Sequence, residues 1–589
     1  MLRWIRHSPV PDLRENRRRN SAEKIFKNMT SFLKRKFNPE SRRRCVLTVC
    51  AGILLGASFP PSPLSSLAYI AFIPLFWLID ENKKTASVMR HFYLFLFVFH
   101  AATLYWAGGF IPAKDVWMMA AGAALLFIHP VFYLPFLWLS LYVRKNLGRI
   151  AGFISFALLW IAFDYLHSLS EYSFPWLSLG NSQAYDVNRI QIAEYTSVCG
   201  LSFIIFTCNI LAYEVTRNIA FRIWPWNSLK LHTAAGCLLL AYIGPSAYGI
   251  IAIKKMQPST TSAGIERTLN IGVIQPNVDP WEKWGLDQGD RMQSYYEQVS
   301  LQAAETQKLA KFNPDLIVWP ETAIPFYIFL PRYAELLHYV QAQVDTAGVP
   351  VLTGVPTVKY FGSSDAPAAS ERIGNSDLFF EAYNSVTMFS PKSRPGPVYR
   401  KMLLVPFAER VPYADAFSFL IKPLRWNVGI SGWGKGTDTV LYTIQSKDSV
   451  HVKFAGIICY ESAYPDFVRA FVKRGAEFLI IVTNDSWWGR TSGAYQHASF
   501  ASLRAVETRR WIVQAANGGV SELVDPCGIA RSRTKLYSRT SVLMQLHPES
   551  EMTFYTKYGD VFAKIFSAAA LAFVGAAAGQ HIRRKREKR

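Results

Sequence analysis

The chain has 589 residues, of which half are hydrophobic and 14% aromatic, with a net charge of +22 and a mean hydropathy of +0.11. This length accommodates one large domain and a second module, and the hydropathy is high for a wholly soluble protein. The charge sits at the ends, +10 in residues 1–44 and +5 in the last seven residues. A nucleic-acid binder carries its basic stripe on a folded surface beside aromatic residues. Charge placed outside the apolar segments argues against that class and reads as membrane topology. The seven cysteines form no CxxC pair and no repeated spacing, which argues against a zinc knuckle or a disulfide framework.

Residues 1–44 are polar and basic and are expected to form a cytoplasmic extension. Apolar segments follow at 45–59, 65–80, 91–109, 116–143, 150–167, 193–213 and 232–253, and one more at 561–579. The first is short against the ~20 residues a span needs, and PPSPL joins it to the second. Alternate short loops hold the basic residues. Lys83, Lys84 and Arg90 lie in one, Arg144, Lys145 and Arg149 in the next, and Arg217, Arg222 and Lys230 in a third. With the N-terminus inside, these are the inner loops. Seven spans then leave residue 254 outside, and an eighth returns the chain to a cytoplasmic tail, 581–589. The expected layout is a membrane domain over 45–253 with about seven transmembrane helices and a linker over 254–266. A second, less apolar domain follows over 267–545, then a return segment with the final helix over 546–580.

Residues 267–545 carry short runs such as LNIGVIQ, DLIVWP, VPVLTGV, FAGIICY and EFLIIVT between helical patterns. That alternation predicts an α/β domain. Residues 358–376 read as an inserted polar loop. The apolar stretches 320–337 and 415–426 read as lids dipping toward the bilayer.

Cys459 ends an apolar strand and precedes a turn and a helix. A side chain at such a corner is exposed at the sheet edge near free N–H groups, where a thiol can act as a nucleophile. It needs a proton acceptor and an oxyanion partner. No histidine has an evident role; His451 lies on the strand and His497 in AYQH. Glu321, after DLIVWP, and Lys401, in VYRKMLLVPFAERVPY, are charged residues placed near strand ends in the same domain.

These residues resemble a Glu–Lys–Cys triad. VWPE, YRK and IICYE match, in order, the pattern of the carbon–nitrogen hydrolase (nitrilase) superfamily. With its apolar spans, nearly all of 45–580 resembles the apolipoprotein N-acyltransferase family. YNS at 383–385, NDSWWG at 484–489 and NGGV at 517–520 add to the match. Ala408, Trp488 and Gly519 depart from it without removing a reactive group. The resemblance implies a polytopic α-helical membrane domain of about eight spans carrying a nitrilase-like α/β domain, an αββα sandwich. It implies Cys459 as nucleophile, Glu321 as general base and Lys401 as oxyanion stabiliser, with the Tyr460 N–H beside it. Glu409, Tyr460 and Glu461 are supporting residues, and Trp284, Asn384, Tyr399 and Trp487 are pocket candidates. It implies no metal and no cofactor. The expected reaction moves a fatty acyl chain from a glycerophospholipid such as phosphatidylethanolamine, through a cysteine thioester, to the α-amine of a diacylglyceryl-cysteine lipoprotein. The expected location is a bacterial inner membrane with the catalytic domain periplasmic. Because that space is oxidising, Cys459 and Cys527 are expected to lie apart. The alternatives are a membrane-anchored amidase or nitrilase, which would use water as acceptor, and a non-catalytic scaffold. A transporter would carry more ionisable groups in its spans than Asp164 and Glu214.

Overall fold

The computed structural model describes residues 39–82, 84–108, 116–256, 267–284, 294–416, 432–447 and 449–589. The N-terminal half is a helical bundle. Its helices are α1 (Pro39–Gly56), α2 (Ile73–Glu81), α3 (Thr85–Leu104), α4 (Val116–Phe127), α5 (Leu134–Leu147), α6 (Arg149–Ser168), α7 (Ala193–Phe221) and α8 (Leu229–Met256). Among the described residues, six stretches are helical, long and apolar enough to cross a membrane: 85–104, 118–147, 149–168, 193–221, 229–256 and 561–586.

Two sequence expectations need correction. The segment 65–80 is a 3-10 turn, Ser65–Tyr69, followed by the nine-residue α2. At 1.5 Å per residue α2 is roughly 14 Å long, far short of a ~30 Å hydrocarbon core. The segment 116–143 is not one straight helix. It breaks at a 3-10 turn, His129–Tyr133, between α4 and α5. Pro130 and Pro135 flank the break, and each lacks the N–H that a continuing helix would use. The face of α4 before the break lines a cavity shared with the second half of the chain.

The bundle is packed by aromatic rings. Phe72 has the rings of Phe76, Phe95, Phe156, Trp160 and Phe206 between 4.9 and 6.2 Å away. At one end, arginines of the short basic loops meet acids. Arg144 pairs with Asp80, Arg149 with Glu214, and Arg217 lies 3.6 Å from Asp80. At the other end of α7, Glu194 pairs with Arg509 at 2.9 Å and Ser197 donates to Glu507 at 2.6 Å, both in the catalytic half. About 20 residues of α7, or roughly 30 Å, separate the arginine cluster from the catalytic half.

That half consists of two sheets. One has the order β13-β1-β2-β3-β5-β4, with β6 on β5. Its strands are β1 (Leu269–Gln275), β2 (Leu316–Val318), β3 (Val351–Gly362), β4 (Glu371–Arg372), β5 (Leu378–Phe389), β6 (Tyr399–Arg400) and β13 (Thr540–Leu546). The other has the order β12-β11-β10-β9-β8-β7. It is built from β7 (Tyr442–Gln445), β8 (His451–Ile458), β9 (Phe478–Thr483), β10 (Ile512–Ala516), β11 (Glu522–Val524) and β12 (Ala530–Arg533). Strands β1, β2 and β3 run parallel, as do β8, β9 and β10.

Successive side chains alternate between faces. Ile271, Val273, Leu316 and Val318 join Ile457, Ile480 and Val482 in the core between the sheets. Ile274, Ile317 and Val351 point the other way, onto Val299 and Leu309 of α10 (Tyr295–Ala310) and Val340 and Val344 of α11 (Ala334–Ala347). On the second sheet, α12 (Pro465–Lys473) and α13 (Ser492–Thr508) contribute Phe471, Ala501 and Ala505. Residues 358–376 are not simply a loop, because β3 and β5 pair as a long hairpin from Val351–Phe389 to Gly362–Leu378. The stretch 320–337 is core rather than lid, with Ile324, Phe326 and Ile328 buried among the residues of α11. Most of 415–426 lies outside the described residues.

The halves meet through indoles organised by one amide. Gln496 Oε1 accepts from Trp176 Nε1 at 2.8 Å and Trp106 Nε1 at 3.1 Å, and its Nε2 donates to Thr103 O at 3.1 Å. Trp106 packs on Trp488 at 4.7 Å, and Trp176 on Phe500 at 4.7 Å.

Candidate active site

Glu321 and Cys459 both follow parallel strands, Glu321 three residues beyond β2 and Cys459 immediately beyond β8. The carboxyl ends of parallel strands are where open α/β sheets place their ligand sites. The backbone is bent to present them. Cys459 has φ 52° and Thr322, next to Glu321, has φ 46°. Such left-handed conformations are strained for side chains with a Cβ, and the strain concentrates at functional sites. Burial and the Glu321 carboxylate push the Cys459 thiol well above the ordinary range, against the pull of Lys401. The resting sulfur is therefore protonated, and its attack requires a proton acceptor.

Lys401 follows β6, and its N–H donates to Asn384 O at 2.8 Å, so strand pairing sets its position. Its side chain is wholly buried between two carboxylates. Nζ lies 2.8 Å from Glu409 Oε1 and 3.5 Å from Glu321 Oε1. Burial opposes its charge, but Glu409 and Glu321 outweigh it and hold the ammonium above the usual lysine range. Asn384 Nδ2 donates to Glu321 Oε1 at 2.7 Å, and the Val405 N–H donates to Glu409 Oε2 at 2.8 Å. The three residues expected from the sequence, with Glu409 and Asn384, thus converge.

Glu461 ties the two reactive segments together. Oε1 accepts from Met402 N at 2.7 Å, Leu403 N at 3.2 Å and Tyr399 Oη at 2.6 Å, while Oε2 accepts from Ile458 N at 2.9 Å. One carboxylate thus joins the backbone after Lys401 to the backbone before Cys459. Burial pushes Glu461 up to about 7, against the hydrogen bonds from Tyr399, Ile458 and Met402 and the charge of Lys401. Tyr399 is accordingly not a pocket residue; it is buried behind Glu461. In Glu461→Gln, an NH2 group must face an N–H donor, and one buried polar group loses its partner. Stability should fall by ~1–3 kcal/mol, measurable by thermal melting of the detergent-solubilised protein.

His497, given no role by the sequence, lies under the nucleophile. Its Nδ1 is 2.7 Å from Asp485 Oδ1 and its Nε2 is 3.1 Å from Cys459 O. Burial disfavours its charge, but Asp485 and the Cys459 carbonyl raise its proton affinity. Cys459, Asp485 and His497 bring candidate ligand atoms within 4.8 Å of one another, yet both imidazole nitrogens are engaged by these oxygens. Cys459 and Cys527 are both free thiols, and Cys527 packs near Met256 Sδ at 3.9 Å.

These groups open on a cavity of about 650 Å³ lined by both halves. Cys459, Tyr460, Glu321, Asn384, Glu409, Trp284 and Trp487 come from the catalytic half. Trp106, Phe174, Trp176, His129 and the Ala120–Leu125 face of α4 come from the bundle. Tyr460 also donates its hydroxyl to Ser173 O of the bundle at 2.8 Å. The bundle wall was not predicted from the sequence; Pro130 was the available signal that 116–143 would break.

Comparison with known proteins follows the same division. The family model for the apolipoprotein N-acyltransferase N-terminal domain matches residues 51–211, and that for carbon-nitrogen hydrolase matches residues 270–542. The chain is 32% identical over 537 residues to the apolipoprotein N-acyltransferase of Chlorobaculum tepidum, covering 90% of this chain and 96% of that one. It is 31% identical over 548 residues to that of Geobacter metallireducens, covering 91% and 96%. Among solved structures it is similar to an amidase from Nesterenkonia sp., at 14% identity and a TM-score of 0.34, over 49% of this chain and 95% of that one.

Proposed function

The chain belongs to the apolipoprotein N-acyltransferase family, and we propose that its shared cavity carries out acyl transfer in two half-reactions. It is a membrane-associated acyltransferase of lipoprotein maturation, with phospholipid and lipoprotein as its substrates. The meeting of Glu321, Lys401 and Cys459 at an apolar cavity partly walled by the bundle carries this mechanism.

In the first half-reaction Cys459 Sγ attacks the acyl ester of a phosphatidylethanolamine-like donor. The S–C bond forms as the thiol proton passes to Glu321. Lys401 and the Tyr460 N–H stabilise the oxyanion. The ester C–O bond then breaks, and Glu321 returns the proton to the departing lysophospholipid oxygen. In the second, the neutral α-amine of the diacylglyceryl-cysteine attacks the thioester. The N–C bond forms, the S–C bond breaks, and the proton leaving nitrogen passes to the sulfur by way of Glu321 or Glu409. An α-amine has a reference pKa near ~8, so a carboxylate positioned to take its proton assists at neutral pH. The apolar wall keeps water from competing for the thioester. This favours transfer over the hydrolysis of the amidase alternative.

The arginine cluster at one end of α7 and the catalytic half at the other support placing them on opposite sides of the bilayer. The catalytic half is then periplasmic, on a bacterial inner membrane. Residues 45–253 and 561–579 cross eight times, the second pass being made by the Ser65–Tyr69 turn and α2 together, from Ser65 beside Gln183 to Asp80 beside Arg144, and both termini are cytoplasmic.

Mass analysis of the Cys459 peptide after incubation with phosphatidylethanolamine tests the reading. One acyl mass should appear and should disappear on addition of a diacylglyceryl lipopeptide, with acyl mass gained by the peptide. No acyl adduct on Cys459, or release of free fatty acid in place of transfer, would overturn it.

A further inference from the structure

Lys283 is the charged group beside this site that the mechanism leaves unused. It lies on α9 (Pro280–Trp284), next to the cavity residue Trp284, and is only 3% exposed. Its Nζ donates to Thr322 Oγ1 at 2.8 Å and lies 3.5 Å from the carbonyl oxygen of Glu321. Among the described residues it forms no ion pair, and Glu321 is the charged group that acts on it. Gln298 Nε2 holds the Lys283 carbonyl at 3.2 Å from the α10 side. Gln302 and Asn517 line the small space beside the lysine and are uncharged.

Two features make this placement informative. The Lys283 ammonium grips the residue with the left-handed backbone that follows Glu321, so it holds that strand end in place. The buried charges also do not balance without it. Glu321 and Glu409 face a single ammonium, Lys401, while Glu461 is held by four uncharged donors and Asp485 is paired with His497. A protonated Lys283 supplies the missing positive charge, and it does so on the Glu321 side.

We propose that Lys283 is a positioning residue that acts through Glu321, fixing the Glu321–Thr322 turn and setting a positive charge on the Glu321 side of a site that excludes water. This rests on the reading of Glu321 as the base. The held turn keeps the Glu321 carboxylate aimed at the thiol proton. The positive neighbour also makes the protonated acid a better donor to the leaving oxygen. Glu321 is faced from other elements by Lys401, Glu409, Cys459 and the Asp485–His497 pair, none of which the tests below alter. Burial pulls the Lys283 ammonium down to about 7, against the field of Glu321. Its influence is therefore full below that pH and fades as pH rises through it.

The test is the pH profile of Cys459 alkylation by iodoacetamide in the full-length, detergent-solubilised protein, read by mass spectrometry of the Cys459 peptide. It is read beside the acyl adduct formed from phosphatidylethanolamine. Lys283→Met removes charge and donor, Lys283→Gln removes charge and keeps a donor, and Lys283→Arg keeps the charge. At pH 6, where the Lys283 ammonium is present in wild type, K283M and K283Q should each react ~tenfold more slowly than wild type. The gap should close above pH 7, and K283R should stay within ~twofold of wild type. Both uncharged variants should stay folded and melt only slightly lower, because the Thr322 hydroxyl loses one buried donor. Unchanged profiles in K283M and K283Q would overturn the proposal. So would equal losses in all three variants, a wild-type K283Q beside a defective K283M, or unfolding of both uncharged variants. Glu321→Gln is the separate control. If it reacts as wild type, the base assignment falls whatever Lys283 does; if it is inert while K283M matches wild type, only the Lys283 proposal falls.

Discussion

Lys401→Met should abolish formation of the acyl-enzyme, with a loss of at least ~10³-fold in its rate, since removal of one oxyanion donor alone costs ~10²–10³. The variant should also be less stable. Lys401 is wholly buried, 2.8 Å from Glu409 and 3.5 Å from Glu321. Methionine in its place leaves two buried carboxylates without their nearest counter-charge, a change worth ~3–5 kcal/mol. The pH dependence has a definite sign. In wild type the Lys401 ammonium is held above the usual lysine range, so its contribution is constant through neutral pH and is lost only as pH rises through that elevated value. In K401M the carboxylates are relieved by protonation, so the variant should melt higher at pH 5 than at pH 8. Acyl-adduct mass and melting curves at the two pH values check both statements. A variant that still acylates, or one that melts lower at pH 5, would remove Lys401 from the role given to it.

The second large effect is steric. Gly354 lies on β3 directly against the Glu321 turn. A Cβ there would sit 2.3 Å from Thr322 N and 2.7 Å from both Glu321 Cα and Pro320 O. All three are backbone atoms that cannot turn aside. Gly354→Ala should push Glu321 away from Asn384 and Lys401. Overpacking of this kind costs ~1–3 kcal/mol and more where backbone must move, and displacement of a reactive group by about 1 Å can cost ~10² in rate. Gly362→Ala is the control on the same strand, since nothing lies within 4 Å of its added Cβ. Acylation rates and melting temperatures of the pair should separate sharply; equal behaviour would mean that the turn yields freely.

The parts of the site that could be read in the sequence are those written locally. Glu321, Lys401 and Cys459 each stand near the end of a short apolar strand within a distinctive run of neighbours, and the structure brings them together. Lys283 and His497 could not be found this way. Each owes its surroundings to contacts distant in sequence, Lys283 to Thr322 and His497 to Cys459 and Asp485. The wall formed by α4 was hidden for another reason. Segment 116–143 is apolar on every side, so it has no periodicity to mark where one helix stops and another begins, and only Pro130 and Pro135 hint at it. Tyr399 was misplaced because an aromatic in a matching motif can serve the site from behind, through Glu461. The apolar stretch around Phe326 reads as a lid in the sequence because its partner, α11, lies beyond it along the chain and covers it only in the fold.

The seam at Gln496 has a consequence for how the two halves can exist. A single amide serves Trp106 and Trp176, which come from separate stretches of the bundle, and the ring of Trp488 closes over the first of them. Severed from the bundle, the sandwich would turn Tyr460, Trp488 and Phe500 outward as a sticky, wettable patch and leave the reactive sulfur on an open face. The catalytic half is thus not an autonomous enzyme tethered for convenience: its floor is borrowed, and the anchor that supplies the floor is as much a part of the reaction vessel as the strands that carry the sulfur.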